Sequence, residues 1–287
     1  MNGSAFAPTV RAWYAEHARD LPWRRSDASA WGVLVSEVML QQTPVSRVLP
    51  VWSDWLRRWP TPGDLAAAAP GDAVRAWGRL GYPRRALRLH AAANAIVERH
   101  DGEVPDDVAA LRALPGIGDY TAAAIASFAF GARAAVLDTN VRRVYARVFA
   151  GAADVLSAPT VAERAAALDR MPADEPAAYS VAVMELGAVV CRARTPRCDV
   201  CPVTALCQWR AAGQPALAQP RRVQTYDGTD RQARGRLLAV LRAATDPVPR
   251  SALDAVWPEP AQRRRALDGL LSDGLVERVG RRYRLPT

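Results

Sequence analysis

Apolar residues recur along most of this chain at spacings of three and four, the period that places them on one face of an α-helix, and the stretches that keep the period are separated by Pro, Gly and Asp. This pattern predicts helices over residues 9–18, 31–42, 45–59, 64–69, 70–80, 84–97 and 104–113, with breaks at Pro60-Thr61-Pro62-Gly63 and Gly81-Tyr82-Pro83. An Ala-rich helix then follows the turn Leu114-Pro115-Gly116-Ile117-Gly118, and further helices are expected over 140–150, 161–170 and 177–190. The strict alternation of a strand is missing up to residue 250, so the body reads as all-α.

After a cysteine-containing segment the pattern changes. Residues 211–230 are aperiodic and contain Pro, Gln and Arg, as a linker would. Helices are expected again over 231–244, 250–256 and 261–271, and the last stretch alternates around Gly280 like a β-hairpin. Three helices and a hairpin make 231–287 a small winged-helix-like unit, its third helix carrying Arg263, Arg264 and Arg265 towards either DNA or a protein.

Several polar positions stand out against this framework. Gly116 and Gly118 let backbone amides approach an anion just before a helix start, a phosphate grip, although an ordinary helix turn has the same composition. Asp138 sits at the expected N-cap of the 140–150 helix, where backbone N–H bonds would hold its pKa down and keep it ionised. Glu37 is the single acid of the apolar run WGVLVSEVMLQQ; crowded by Val and Leu it would stay protonated near neutral pH, and on the solvent face it would not. Trp23 and Arg24 follow Arg19, Leu21 and Pro22 on a loop, placed either to stack on a base and hold a phosphate or to plug the core. Gln42 and Thr43 end a helix, where amides reach base edges or cap the helix. Tyr82, on a turn beside Arg84, Arg85 and Arg88, is a wedge for DNA or a buried ring.

Composition narrows the partners. The 287 residues carry a formal charge of +9, the balance of a protein that meets a polyanion, and 23% charged against 50% apolar residues excludes a disordered chain. All 38 basic residues are Arg, so no side-chain amine is present to form a Schiff base. No leader or spanning segment is apparent, so a cytoplasmic protein with no membrane association is expected. The four cysteines, Cys191, Cys198, Cys201 and Cys207, fall in one segment with the spacing C-x6-C-x2-C-x5-C. In a reducing compartment this is a metal site, zinc or iron–sulfur; one short pair rather than two knuckles favours a [4Fe–4S] cluster.

Taken together these stretches resemble the helix-hairpin-helix DNA glycosylase superfamily, and within it the MutY adenine DNA glycosylases. The resemblance spans residues 9–210 and rests on Leu21-Pro22-Trp23-Arg24, Ser36 to Thr43, Leu80-Gly81-Tyr82, Leu114 to Gly118 with Tyr120-Thr121-Ala122, Leu137 to Val141, and the four cysteines in order. It implies two helical lobes with a DNA cleft between them, a catalytic region over 1–210 with a cluster loop at 191–207, and a monomer acting on double-stranded DNA with an adenine mispair. Glu37 would protonate adenine N7, Asp138 would stabilise the cationic sugar, and Tyr120 would support catalysis where lyase relatives have a Lys. Gln42 and Tyr82 match intercalating positions, and Trp23 and Arg24 the adenine pocket; Arg19, Leu21, Thr43, Gly116, Gly118 and Asn140 complete the expected DNA-binding set. The sequence departs from the family at Ser180 and Val181, where relatives have polar residues, and its tail is too short for their Nudix-like domain.

Overall fold

A computed structural model describes residues 3–155, 157–216 and 226–287, so residues 217–225 of the expected linker lie outside the described residues. In chain order the helices are α1 (Gly3–His17), α2 (Ala30–Leu40), α3 (Val45–Arg58), α4 (Pro62–Ala66), α5 (Pro70–Trp77), α6 (Arg84–Arg99), α7 (Val108–Arg112), α8 (Asp119–Phe130), α9 (Thr139–Ala150), α10 (Val161–Arg170), α11 (Pro176–Val189) and α12 (Gln208–Ala211). They are followed by α13 (Asp230–Ala243), β1 (Val248–Pro249), α14 (Arg250–Asp254), α15 (Pro260–Ser272), β2 (Glu277–Val279) and β3 (Arg282–Arg284). None of the described helices is long and apolar enough to cross a membrane.

The chain forms two compact units. The first comprises Met1–Glu37, Pro105–Ala113 and Ile117–Arg221; the second comprises Val38–Val104, Leu114–Gly116 and Arg222–Thr287. The first unit is built on a core in which Phe6 and Val10 of α1, Val141, Val144 and Val148 of α9, and Tyr179, Val183 and Leu186 of α11 are buried, with Phe6 edge-on to Phe149 at 5.0 Å between ring centroids. That packing explains why α1 starts six residues earlier than its pattern suggests. Pro8 lies inside the helix and removes one N–H, but the burial of Phe6 and Val10 on either side outweighs the lost bond. At the head of α10, Thr160 and Glu163 form a reciprocal capping box.

The second unit has its own aromatic core, where Trp55 packs edge-on to Trp77 with centroids 5.8 Å apart. The C-terminal segment belongs to this unit. Its strands form an antiparallel sheet in the order β1-β3-β2, with Val248 opposite Tyr283 and Arg278 opposite the other side of Tyr283. The hairpin around Gly280 was legible as alternation; β1 was not, because two residues ending in Pro carry no alternating signal. The segment docks on α5. Gly71 donates its backbone N–H to Pro286 O at 2.8 Å, Arg75 Nη1 donates to Ala244 O at 2.8 Å, and Arg242 Nε donates to Val74 O at 3.0 Å. A Cβ on Gly71 would lie 2.4 Å from Pro286 O, so this contact requires glycine.

Candidate active site

The first unit brings together the three residues expected to do chemistry. α2 is apolar nearly all round, and Glu37 on it is buried, 5% exposed. Tyr120, in the first turn of α8, donates its phenol O–H to Glu37 Oε2 at 3.0 Å. Burial pushes the Glu37 carboxyl up to about 7; the Tyr120 hydrogen bond and the positive charge of Arg24 oppose the rise, and the neighbouring Asp138 carboxylate adds to it. Glu37 is therefore poised between acid and base at neutral pH. Burial beside Glu37 and Asp138 raises the Tyr120 phenol well above its usual value, so it remains a neutral donor.

Asp138 is the N-cap of α9: its Oδ1 accepts the Val141 backbone N–H at 2.7 Å and its Oδ2 accepts Asn140 Nδ2 at 2.7 Å. The cap was foreseen, but its electrostatic consequence was not. The Asp138 pKa is raised rather than lowered, because desolvation exceeds the combined effect of the backbone bonds, Asn140 and the nearby Arg143. Sequence shows the donors; it does not show how dry the cap is.

Asn140 is itself held. Its Oδ1 accepts Arg143 Nη2 at 2.8 Å, and the same guanidinium donates to Gly187 O at 2.7 Å and, through Nε, to Cys191 O at 2.7 Å. Helices α9 and α11 touch closely here, since a Cβ on Gly187 would sit 2.7 Å from Asn140 O. Arg143 and Gly187 were not singled out from the sequence; a glycine in mid-helix was the available sign.

A second unanticipated residue organises Arg19 and Arg24. Glu185 of α11 is fully buried and accepts from Arg19 Nε at 2.5 Å, Arg19 Nη2 at 2.7 Å and Arg24 Nη1 at 2.8 Å. Burial drives its carboxyl up, and the two guanidinium groups outweigh that and bring it net below the ordinary value. The pair clamps the short 3-10 turn Pro22–Arg24 to α11. Leu21 and Trp23 on this turn are buried, 5% exposed each. Ser180 is buried and donates to Pro176 O at 3.0 Å, and Val181 beside it is half-buried.

In the second unit Gln42 and Tyr82 are exposed, Tyr82 by 51%, and both hold left-handed backbone, with φ of 55° and 47°. Thr43 is buried; its hydroxyl donates to Leu80 O at 3.3 Å and accepts Arg85 Nη2 at 2.9 Å. Arg85 is thus no solvated neighbour of Tyr82. It is buried, donates to Val38 O, Gln41 O and Gly81 O, and lies over the Trp77 and Tyr82 rings at 5.1 and 5.6 Å. Burial lowers its pKa to about 10, still fully charged at neutral pH. Gly116 has φ of 82°, and a Cβ there would lie 2.8 Å from Arg88 Cβ. Gly118, the N-cap of α8, is exposed and nothing in the protein lies within 4 Å of where its Cβ would be.

The four cysteines line one concavity in the first unit together with Val144, Leu186 and Trp209. Two N–H donors point at their sulfurs: Arg147 Nη1 lies 3.4 Å from Cys191 Sγ and Gln214 Nε2 lies 3.3 Å from Cys198 Sγ. Burial pushes the Cys201 thiol up to about 11 and raises Cys191, so as free thiols these two would be neutral. Donors aimed at sulfur in an apolar concavity suit thiolates neutralised by metal, so the residues fit an iron–sulfur group. Among the described residues no three His, Cys, Asp or Glu side chains converge on a single ion position. Arg192, Arg194 and Arg197 between the first two cysteines are exposed.

Residues 35–168, which include the buried acid and the capping carboxylate, match the model of the HhH-GPD superfamily base excision DNA repair protein. The solved structure of a thermostable thymine-DNA glycosylase covers 74% of this chain and 97% of its own, with a TM-score of 0.68 and 26% identity. An endonuclease III–DNA complex shares the fold at a TM-score of 0.63 and 21% identity, over 75% of this chain and 100% of its own. Within the superfamily, the chain belongs to the adenine DNA glycosylase family. It is 58% identical over 270 residues to the adenine DNA glycosylase of Mycolicibacterium smegmatis, covering 93% of this chain and 91% of that protein. The human adenine DNA glycosylase is 42% identical over 217 residues, 72% of this chain and 40% of that protein. The first match is long enough to run into the C-terminal segment.

Proposed function

We propose that the protein is a monofunctional glycosylase of base excision repair that hydrolyses the N-glycosidic bond of adenine mispaired with 8-oxoguanine or guanine in duplex DNA. The observation that carries this reading is the buried Glu37, hydrogen-bonded by Tyr120 and neighboured by Asp138. A flipped adenine takes the Glu37 proton at N7, and the glycosidic electrons leave with the base. Asp138 faces the cationic sugar that remains, and water adds to C1′ with its proton returned to Glu37. Tyr120 keeps Glu37 in place without itself ionising. The absence of Lys supports an enzyme that stops at the abasic site. Exposed Gln42 and Tyr82 serve as wedges, and Gly116 and Gly118 offer backbone N–H groups to a phosphate. Cys191, Cys198, Cys201 and Cys207 would hold one [4Fe–4S] cluster, which stiffens the basic loop between them when bound. The enzyme is taken to act as a cytoplasmic monomer.

The test is to incubate the protein with duplex carrying adenine opposite 8-oxoguanine and then treat with alkali. Strand cleavage at the adenine is expected; intact strand at excess protein would refute the assignment.

A further inference from the structure

Between Arg231 and Thr287 the sequence has twelve arginines, six acidic residues and neither Lys nor His, so two thirds of the net charge of +9 falls in one fifth of the chain. The structure shows where that charge goes. Arg234, Arg250, Arg263, Arg265 and Arg284 are engaged by acidic partners, and Arg242 is spent on docking to α5. Of the six that remain, Arg231 and Arg236 are exposed on α13, and the other four lie on two exposed features, Arg264 on the outer face of α15 and Arg278, Arg281 and Arg282 on the β2–β3 hairpin. Neither Arg264 nor Arg281 has an ion pair among the described residues.

The unit that presents them is fixed in place. Besides the contacts with α5, the turn joining α15 to β2 abuts the start of α6: Asp273 Oδ1 pairs with Arg84 Nη1 at 3.2 Å, and a Cβ on Gly274 would touch Leu87. Arg84 lies two residues after the exposed Tyr82. The third helix and the hairpin thus spring from a point beside that turn, within the same compact unit.

We propose that the C-terminal unit is a second, sequence-independent contact for the DNA phosphate backbone, with the hairpin and the outer face of α15 gripping the duplex that Tyr82 engages. The placement of the partner beside Tyr82 rests on the proposed function; the charge and its exposure do not. Phosphate contacts release counterions, so each contributes roughly 0.9 to the slope of log K against log salt.

The test compares full-length protein with Arg264→Gln/Arg281→Gln and with a control of equal charge change, Arg58→Gln/Arg99→Gln, on α3 and the end of α6. Binding to undamaged duplex is measured across a salt series, with melting temperature as the check on folding. A slope shallower by about 2 in the first variant, with the control unchanged, is expected. An unchanged slope, or an equal loss in both variants, overturns the proposal. Because undamaged duplex is the probe, failure to release adenine would sink the glycosylase assignment and leave this measurement standing.

Discussion

Glu37 carries the sharpest consequences at the scale of a single residue. Its folded pKa of about 7 lies above that of an exposed Glu, so between the two values the native state keeps a proton that the unfolded chain has lost. Stability contributed by this group is present in acid and lost as pH rises through about 7. Glu37→Gln, which cannot ionise, should therefore melt higher than wild type at pH 8, by on the order of 2–3 kcal/mol, and show little gain at pH 5. Thermal melts at both values check this; equal gains at both would show that Glu37 is not desolvated. In the proposed mechanism Asp138 has the opposite requirement, since an anion is to face the cationic sugar. Its raised pKa is opposed by the Asn140 amide, so Asn140→Ala should raise it further and move the acid limb of the excision–pH profile upward. The pairing of an acid held protonated with a capping acid was readable from the order of residues around Glu37 and Asp138. The direction of the Asp138 shift was not, because desolvation depends on how deeply tertiary packing buries the cap, which the local residues do not show.

At the scale of elements, the helices were legible wherever amphipathic spacing and caps agreed, as for α10 with its Thr160–Glu163 box, and illegible where tertiary burial overrode a local breaker, as at Pro8. Contacts between elements left fainter marks. Glu185 and Gly187 lie in one apolar helix whose periodicity predicts only burial, and nothing in α11 by itself announces two arginines from another segment. Their roles can be tested. Gly187→Ala puts a methyl against the Asn140 backbone and should cost about 1–3 kcal/mol of stability while slowing excision, because it pushes on the segment that orients Asp138. Arg85 joins the end of α2 to the Gly81–Tyr82 turn by charge-assisted bonds to main-chain carbonyls, which a Lys cannot reproduce in number or plane. Arg85→Lys should lower stability by on the order of 2–3 kcal/mol and weaken DNA binding. Arg88→Gln, which removes charge without that network, should not show the same loss of stability.

For the whole molecule, the net positive charge overstates what is available to DNA. Arg85, Arg142, Arg143 and Arg147 are buried and bind carbonyls, amides and carboxylates of the protein itself, so charge counting alone could not locate the interface. The exclusive use of Arg suits this, as guanidinium groups satisfy several acceptors at once. The same absence of Lys predicts that borohydride traps no covalent adduct on DNA through a side chain; an adduct mapping to any residue but the N-terminus would contradict the monofunctional assignment. The central claim, that Glu37 delivers the proton on which adenine departure depends, is tested most directly by the single-turnover rate of adenine release from a duplex with adenine opposite 8-oxoguanine, measured across pH. The rate should fall as pH rises through about 7 and be lost in Glu37→Gln. A rate independent of pH from 6 to about 9, or undiminished in that variant, would contradict it.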